Sequence, residues 1–183
     1  MTVLIGLLLV AGLAAWSVIT YNMFVKYKNL MAEAWSGIDV QLKRRADLIP
    51  NLVEAVKGYK QFERSTLENV TALRAKASAT EGIKAKADSE NAISQALKSI
   101  FAVAEAYPDL KANKSFLDLH HNLVEIEDQL QMSRRYYNGA VRDYSILAQS
   151  FPSNIIANGF GFGKADFFEI EYATERKVPE VKV

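Results

Sequence analysis

The chain has 183 residues, enough for one membrane span and one domain with a single hydrophobic core. Its 22 Lys and Arg nearly cancel 21 Asp and Glu, for a formal net charge of +1, which excludes a global field that would recruit nucleic acid or a strongly acidic partner. There is no cysteine, so disulfides, thiolate metal sites, a cysteine nucleophile and a lipoprotein cysteine are all excluded, and folding rests on packing.

Thr2 to Val25 carries no charged side chain. A helix needs roughly 20 apolar residues at about 1.5 Å each to cross the hydrocarbon core, so residues 2–25 are expected to be a transmembrane helix. Trp16, Tyr21 and Asn22, then Lys26, Tyr27 and Lys28, form an aromatic belt followed by interfacial cations. A cleaved signal peptide is the competing reading. It is disfavoured because no Lys or Arg precedes the run and the run continues past the small residues Ala14 and Ala15. Lys26, Lys28, Lys43, Arg44 and Arg45 all lie on the C-terminal side, so the positive-inside rule puts the N-terminus outside and the soluble part in the cytoplasm. The expected location is a single pass through the inner membrane.

Residues 26–157 read as a helical bundle. Trp35, Ile38, Leu42, Ile49, Leu52, Val56, Tyr59, Val70 and Leu73 lie close to one stripe, which predicts a first helix reaching the stretch Ala77 to Gly82, with Gly82 as C-cap. Pro50 falls inside this stripe and predicts a kink near Asp47–Pro50, a complete turn being the alternative. A second helix is expected from about Lys84 to Ala106, ended by Tyr107-Pro108. The third is the most regular. Phe116, Leu119, Leu123, Ile126, Leu130, Ser133, Tyr137, Ala140, Tyr144 and Leu147 alternate steps of three and four, a coiled-coil-like seam that Phe151-Pro152 ends. Residues 158–183 differ: Asn158 to Gly163 spaces glycines between phenylalanines and predicts an irregular chain, and Glu175 to Val183 reads as a frayed terminus. The fold class is all-α: a transmembrane helix continuing into an antiparallel up-down bundle of long helices, with an irregular aromatic C-terminal segment.

Tyr21-Asn22, the run Ala34-Trp35-Ser36-Gly37-Ile38-Asp39-Val40-Gln41-Leu42-Lys43-Arg44-Arg45-Ala46-Asp47-Leu48-Ile49-Pro50-Asn51-Leu52-Val53, and Glu105-Ala106-Tyr107-Pro108-Asp109-Leu110-Lys111-Ala112 together resemble the LemA family. Arg135-Tyr136-Tyr137-Asn138, Phe151-Pro152 and Phe167-Phe168 continue the likeness, which runs from Tyr21 to about Ile170. The resemblance implies a bacterial membrane protein with one N-terminal transmembrane helix and a helical-bundle domain. It brings no reaction and no catalytic residue.

The sequence offers little reactive chemistry. Asp118, His121 and Glu125 share a helix face, but a di-iron bundle needs two Glu-x-x-His elements, and His120 and His121 are the only histidines. No serine sits in a nucleophile elbow, and Gly159 to Gly163 lacks the strand and capped helix of a nucleotide loop. No catalytic, metal or cofactor site is expected, and the protein reads as no enzyme. The charges Asp39, Arg44, Arg45 and Asp47, and Glu125, Glu127, Asp128, Arg134 and Arg135, border the apolar stripes. They are either exposed i, i+4 pairs or an ionic network between helices or subunits that fixes register. On a straight helix Lys43, Arg44 and Arg45 stand roughly 27–30 Å beyond the membrane, well past a Debye length of about 8 Å, which favours a protein partner for them. Phe160, Phe162, Phe167 and Phe168 either close the bundle's end or form an apolar contact patch. These seven residues are the candidate interaction sites. The function expected is a membrane-anchored, non-enzymatic helical scaffold or interaction protein that forms a homo-oligomer and organises or shapes the membrane, with the bilayer and other membrane proteins as partners and no nucleic acid. An accessory subunit of a membrane protease, transporter or signalling complex is the alternative.

Overall fold

The computed structural model describes residues 1–58 and 64–169, and among them every regular element is an α-helix. They are α1 (Thr2–Lys57), α2 (Arg64–Ala79), α3 (Ile83–Ala104), α4 (Pro108–Lys111), α5 (Lys114–Gln149) and α6 (Ser153–Phe160). The all-α class holds, and Glu175 to Val183 lies outside the described residues.

Three boundaries differ from expectation. The first helix stops at Lys57, before Gly58, and the stripe resumes in α2 as a separate helix. Glycine lacks a side chain to pack and loses the most backbone freedom in a helix, so an exposed Gly58 is a natural stop, whereas phase alone cannot show a break. Gly82, expected as a C-cap, instead precedes α3 as its N-cap, at φ +84. Asn158 to Phe160, expected to be irregular, form the last turn of α6. Gly161 then adopts the left-handed conformation at φ +71 and the Phe162 amide donates to the Ala157 carbonyl at 2.9 Å, a Schellman ending that glycine makes inexpensive.

Pro50 sits inside α1 and the helix continues through it. Proline has no N–H, so the Ala46 carbonyl one turn earlier loses its normal helical donor. Arg74 of α2 supplies a replacement: its Nε donates to that carbonyl at 2.7 Å.

The chain divides into two units, and the divisions fall inside α1 and α5. The first holds Met1–Gly37 and Arg134–Phe167. Here α1 and α5 run antiparallel, because Phe24 faces Tyr144 with ring centroids 5.8 Å apart while Trp35 faces Tyr137 at 5.6 Å. Its core gathers Phe24, Tyr144 and Ala157, with Tyr27, Met31, Leu147, Ile156 and Phe162 packed on them. Ser153 closes the corner: its hydroxyl lies 2.6 Å from the Leu147 carbonyl and 2.9 Å from that of Ser150, among the carbonyls α5 leaves open at its end.

The second unit holds Ile38–Ser133 and the described residues from Phe168 on. α2 and α3 fold back on each other through Thr80–Gly82, and Lys86 Nζ donates to the Ala77 carbonyl across the turn at 3.1 Å. The core takes Ile49, Leu52 and Val56 from α1, Val70 from α2, Ile93, Leu97 and Ile100 from α3, Leu110 from α4, and Phe116 and Leu123 from α5. In the third-helix seam Phe116, Leu123, Ile126 and Leu130 are buried as the spacing predicts, while Leu119 and Ser133 are half-buried.

Candidate functional site

The side chain that stands out in the second unit is Arg45. It is 1% exposed, among the largest fully buried side chains of the chain. The register explains why. Ile38, Leu42, Ile49, Leu52 and Val56 are all buried, and their steps of four and three put Arg45 in the seam, at the place an apolar residue would take. A charge there needs partners on every side, since an unpaired one costs several kcal/mol. Nη2 donates to a Glu90 carboxylate oxygen at 2.5 Å and to the Glu90 backbone carbonyl at 3.1 Å. Nη1 donates to Glu127 Oε2 at 2.8 Å and to Ser94 Oγ at 2.7 Å. Ser94 in turn donates to Glu127 Oε2 at 3.1 Å, closing the ring of contacts. One guanidinium thus joins α1, α3 and α5.

This decides between the two readings of the charged residues around the stripes. For Arg45 and Glu127 the network is an inter-helix one within a single chain. Glu90 and Ser94 were missed by sequence reasoning, which looked for charges beside the stripes. The available signal was an arginine on a seam position, which requires an acid on a facing helix.

Lys43-Arg44-Arg45 is accordingly split. Lys43 and Arg44 are exposed, and Arg44 donates to Gln41 Oε1 of its own helix at 3.2 Å. Arg45 is withdrawn into the core and presents no charge to a partner, a correction to its candidate role. Beside it a polar depression of about 270 Å³ is lined by Asp39, Lys43, Asp47, Arg74, Lys86 and Glu90 among others, charges of both signs that largely cancel.

The phenylalanines are also divided. Phe162 stacks on Phe24 at 4.6 Å and meets Tyr21 edge-on at 5.5 Å, and Phe160 meets Tyr21 edge-on at 5.0 Å while staying 63% exposed. Phe167 is 39% exposed, and Phe168 is fully buried, so this last ring belongs to the core and is no contact surface, a second correction. In the first unit the Tyr137 hydroxyl donates to the Asp166 carbonyl at 2.9 Å. Burial raises its pKa above the ordinary 10.0, and the nearby Asp166 carboxylate adds to the shift.

The histidines do not assemble a site. His120 packs its ring against Phe101 at 4.3 Å, while Asp118, His121 and Glu125 are exposed. Among the described residues no three His, Asp or Glu side chains come together as metal ligands would. Two depressions that share Phe101, of about 190 and 160 Å³, follow the crease between α3 and α5, lined by Phe101, Leu117, His120, Leu97 and Val124.

An exposed apolar helix long enough to cross a membrane, in a chain whose regular elements among the described residues are all helices, marks a membrane protein of all-α class. The LemA family profile matches residues 34–183, and the chain belongs to the LemA family. It is similar to the magnetosome protein MamQ 2 of Paramagnetospirillum magneticum, at 26% identity over 90% of this chain and 70% of that protein. It is similar also to protein LemA of Metamycoplasma hominis, at 28% identity over 88% of this chain and 72% of that one, and to MamQ of Magnetospirillum gryphiswaldense, at 23% over 81% and 64%.

Proposed function

We propose that the protein is a membrane-anchored, non-enzymatic scaffold that self-associates and organises or shapes the membrane. The observation that carries this reading is the surface of the second unit. Leu117 and Val124 of α5 are 46 and 45% exposed and line the apolar crease against α3, and Met132 and Val103 are exposed as well. Such a surface suits contact with another protein better than it suits catalysis. Lys43 and Arg44 add two exposed cations on the same unit, able to meet acids such as Asp128 on a second copy. The relatives' names, LemA and magnetosome protein, are not those of enzymes.

Extraction into nanodiscs followed by mass measurement and electron microscopy tests the scaffold. A uniform homo-oligomer is expected, and Val124→Asp should reduce it while leaving the helical circular dichroism and melt unchanged, because Val124 is exposed in the single chain. A monomer that co-purifies with a different protein would replace this reading with that of an accessory subunit. The soluble part is proposed to face the cytoplasm, from the basic residues that follow the span. Alkaline phosphatase fused at Val183 should then be inactive in intact cells; an active fusion reverses the orientation.

A further inference from the structure

The chain has two stretches without a single charged side chain that belong to the first unit. One is Thr2 to Val25; the other is Tyr144 to Gly163, in a protein whose residues are 23% charged. The second stretch covers the end of α5, the Phe151-Pro152 corner and α6. Its composition is apolar and neutral-polar: Ile146, Phe151, Ile155, Ile156 and Phe160 beside Ser150, Asn154 and Asn158.

The two stretches lie at the same level. Along α1 the first residue buried by the rest of its unit is Thr20, followed by Phe24, and both precede the cations Lys26 and Lys28 that mark where a span meets water. α5 is antiparallel to α1 and crosses the Phe24 level at Tyr144. Its last residue, Gln149, therefore lies about 7–8 Å further toward the apolar end of α1. α6 comes back at that depth, since Phe160 packs on Tyr21 and Phe162 on both Tyr21 and Phe24. Yet the outer side chains are uncovered: Phe151 is 82% exposed, Phe160 63%, Ile155 59% and Ile146 58%. Water would meet four large apolar groups at the height where α1 is already inside a bilayer.

We infer that the Phe151-Pro152 corner and α6 are a membrane-embedded foot, inserted into the interfacial layer of the same leaflet that α1 leaves. The inference rests on the reading of α1 as a membrane span. The occupant of the exposed apolar face is lipid, because the face is continuous with the lipid-facing surface of the span. Its depth is limited by the corner: the backbone there is irregular, and unpaired N–H and C=O groups are not tolerated in hydrocarbon, while the headgroup and acyl boundary accepts them. Serine and asparagine suit that layer too. Lacking charge, the foot needs no anionic lipid, in contrast to a polybasic surface, whose binding depends on anionic headgroups and salt.

The test uses the full chain, which has no cysteine of its own. Phe151→Cys and Ile155→Cys, each with a nitroxide label, are placed in phosphatidylcholine nanodiscs, with Leu9→Cys as the deep reference and Glu33→Cys as the aqueous one. Collision with oxygen, which concentrates in lipid, is compared with collision with a water-soluble nickel chelate. The foot requires labels at 151 and 155 to favour oxygen, at depths between the two references, unchanged by added salt. Nickel access equal to that at Glu33 overturns it, as does shielding from both agents, which would mean that protein covers the face. If Leu9 itself reads as water, the span fails and the foot with it. Both changes are at exposed positions, and helical circular dichroism matching that of the unchanged chain guards against misfolding.

Discussion

Both units hold α1 against α5, and they do so with different chemistry. In the first, the pair meets through rings, Phe24 on Tyr144 and Trp35 on Tyr137. In the second, the same two helices are joined by Arg45 and Glu127, with Glu90 and Ser94 of α3 completing the shell. Aromatic rings bring large buried area and tolerate a shift of an ångström or so. A guanidinium with four short contacts tolerates no such shift, because a slip of one residue would leave it buried and unpaired. The difference teaches that burial holds one stretch of the helix pair while charge fixes the register of the other.

The comparison breaks most visibly at Arg45. Arg45→Ala removes the cation, leaves the Glu90 carboxylate buried with no counter-charge, and opens a cavity in the seam. Breaking a buried pair from one side costs about 3–5 kcal/mol, a large share of a domain's stability of about 5–15 kcal/mol. Thermal and urea unfolding followed by circular dichroism should show it. The partners should rank. Glu90→Ala is expected to cost nearly as much as Arg45→Ala, and Glu127→Ala less, because the Glu127 side chain is 37% exposed and water can replace part of what is lost. In the double change Arg45→Ala with Glu90→Ala the costs should fall well short of additive. Additive costs would mean the two side chains do not depend on each other and that register is held by the apolar seam alone.

A smaller effect sharpens the same unit. Arg74 donates to the carbonyl that Pro50 leaves without a helical partner. Arg74→Ala should cost about 1–3 kcal/mol, the usual penalty for a partly buried acceptor left unmet. With Pro50→Ala the amide returns and satisfies the Ala46 carbonyl from within α1, so Arg74→Ala should then cost distinctly less. Unfolding of the four proteins of this cycle measures the coupling. If Arg74→Ala costs the same in both backgrounds, Arg74 acts through its packing and not through that carbonyl.

The regular parts of this architecture were legible because periodicity reports burial directly. Most of the α5 seam from Phe116 to Tyr144 is buried where its spacing says, Leu119 and Ser133 being half-buried, and the charge-free start of α1 is exposed to whatever surrounds it. The break after Lys57 was not legible, since α2 resumes the stripe in phase and a single glycine is a weak local signal. Arg45 carries the same local signal as its neighbours Lys43 and Arg44, which are surface charges. Only the seam register separates the three, and the acid that answers Arg45 lies 45 residues away in sequence. Phe168 was grouped with the other phenylalanines for a similar reason: composition gives their number, and the turn after Gly161 decides which rings face inward. Pro50 was legible as a disturbance. The arginine that repairs it comes from another helix, which no local pattern reveals.

The smallest expected effect is at Tyr137 in the first unit, where one hydrogen bond accompanies the rings. Tyr137→Phe keeps the ring against Trp35 and removes only the donation to the Asp166 carbonyl. Asp166 is exposed, so water can serve that carbonyl, and the loss should be at most about 1 kcal/mol at neutral pH. The pH dependence distinguishes this bond from mere ring packing. The folded-state pKa of Tyr137 is raised above 10.0 by burial first and by the Asp166 carboxylate second. The unfolded chain therefore releases the phenolic proton before the folded one does. Stability that this group supplies is complete below about pH 10 and falls as pH rises from there through the folded-state value. Phenylalanine has no proton to release, so the two proteins should converge above pH 10, and the variant should overtake once the parent's tyrosine is forced to ionise. Unfolding followed by the fluorescence of Trp35, which touches this ring, with Trp16 replaced by Phe to remove the signal of the span, reads the comparison at the right place. A gap between parent and variant that stays constant from pH 7 to pH 11 would mean that the hydroxyl is already in contact with water and that the rings alone hold this end of the helix pair.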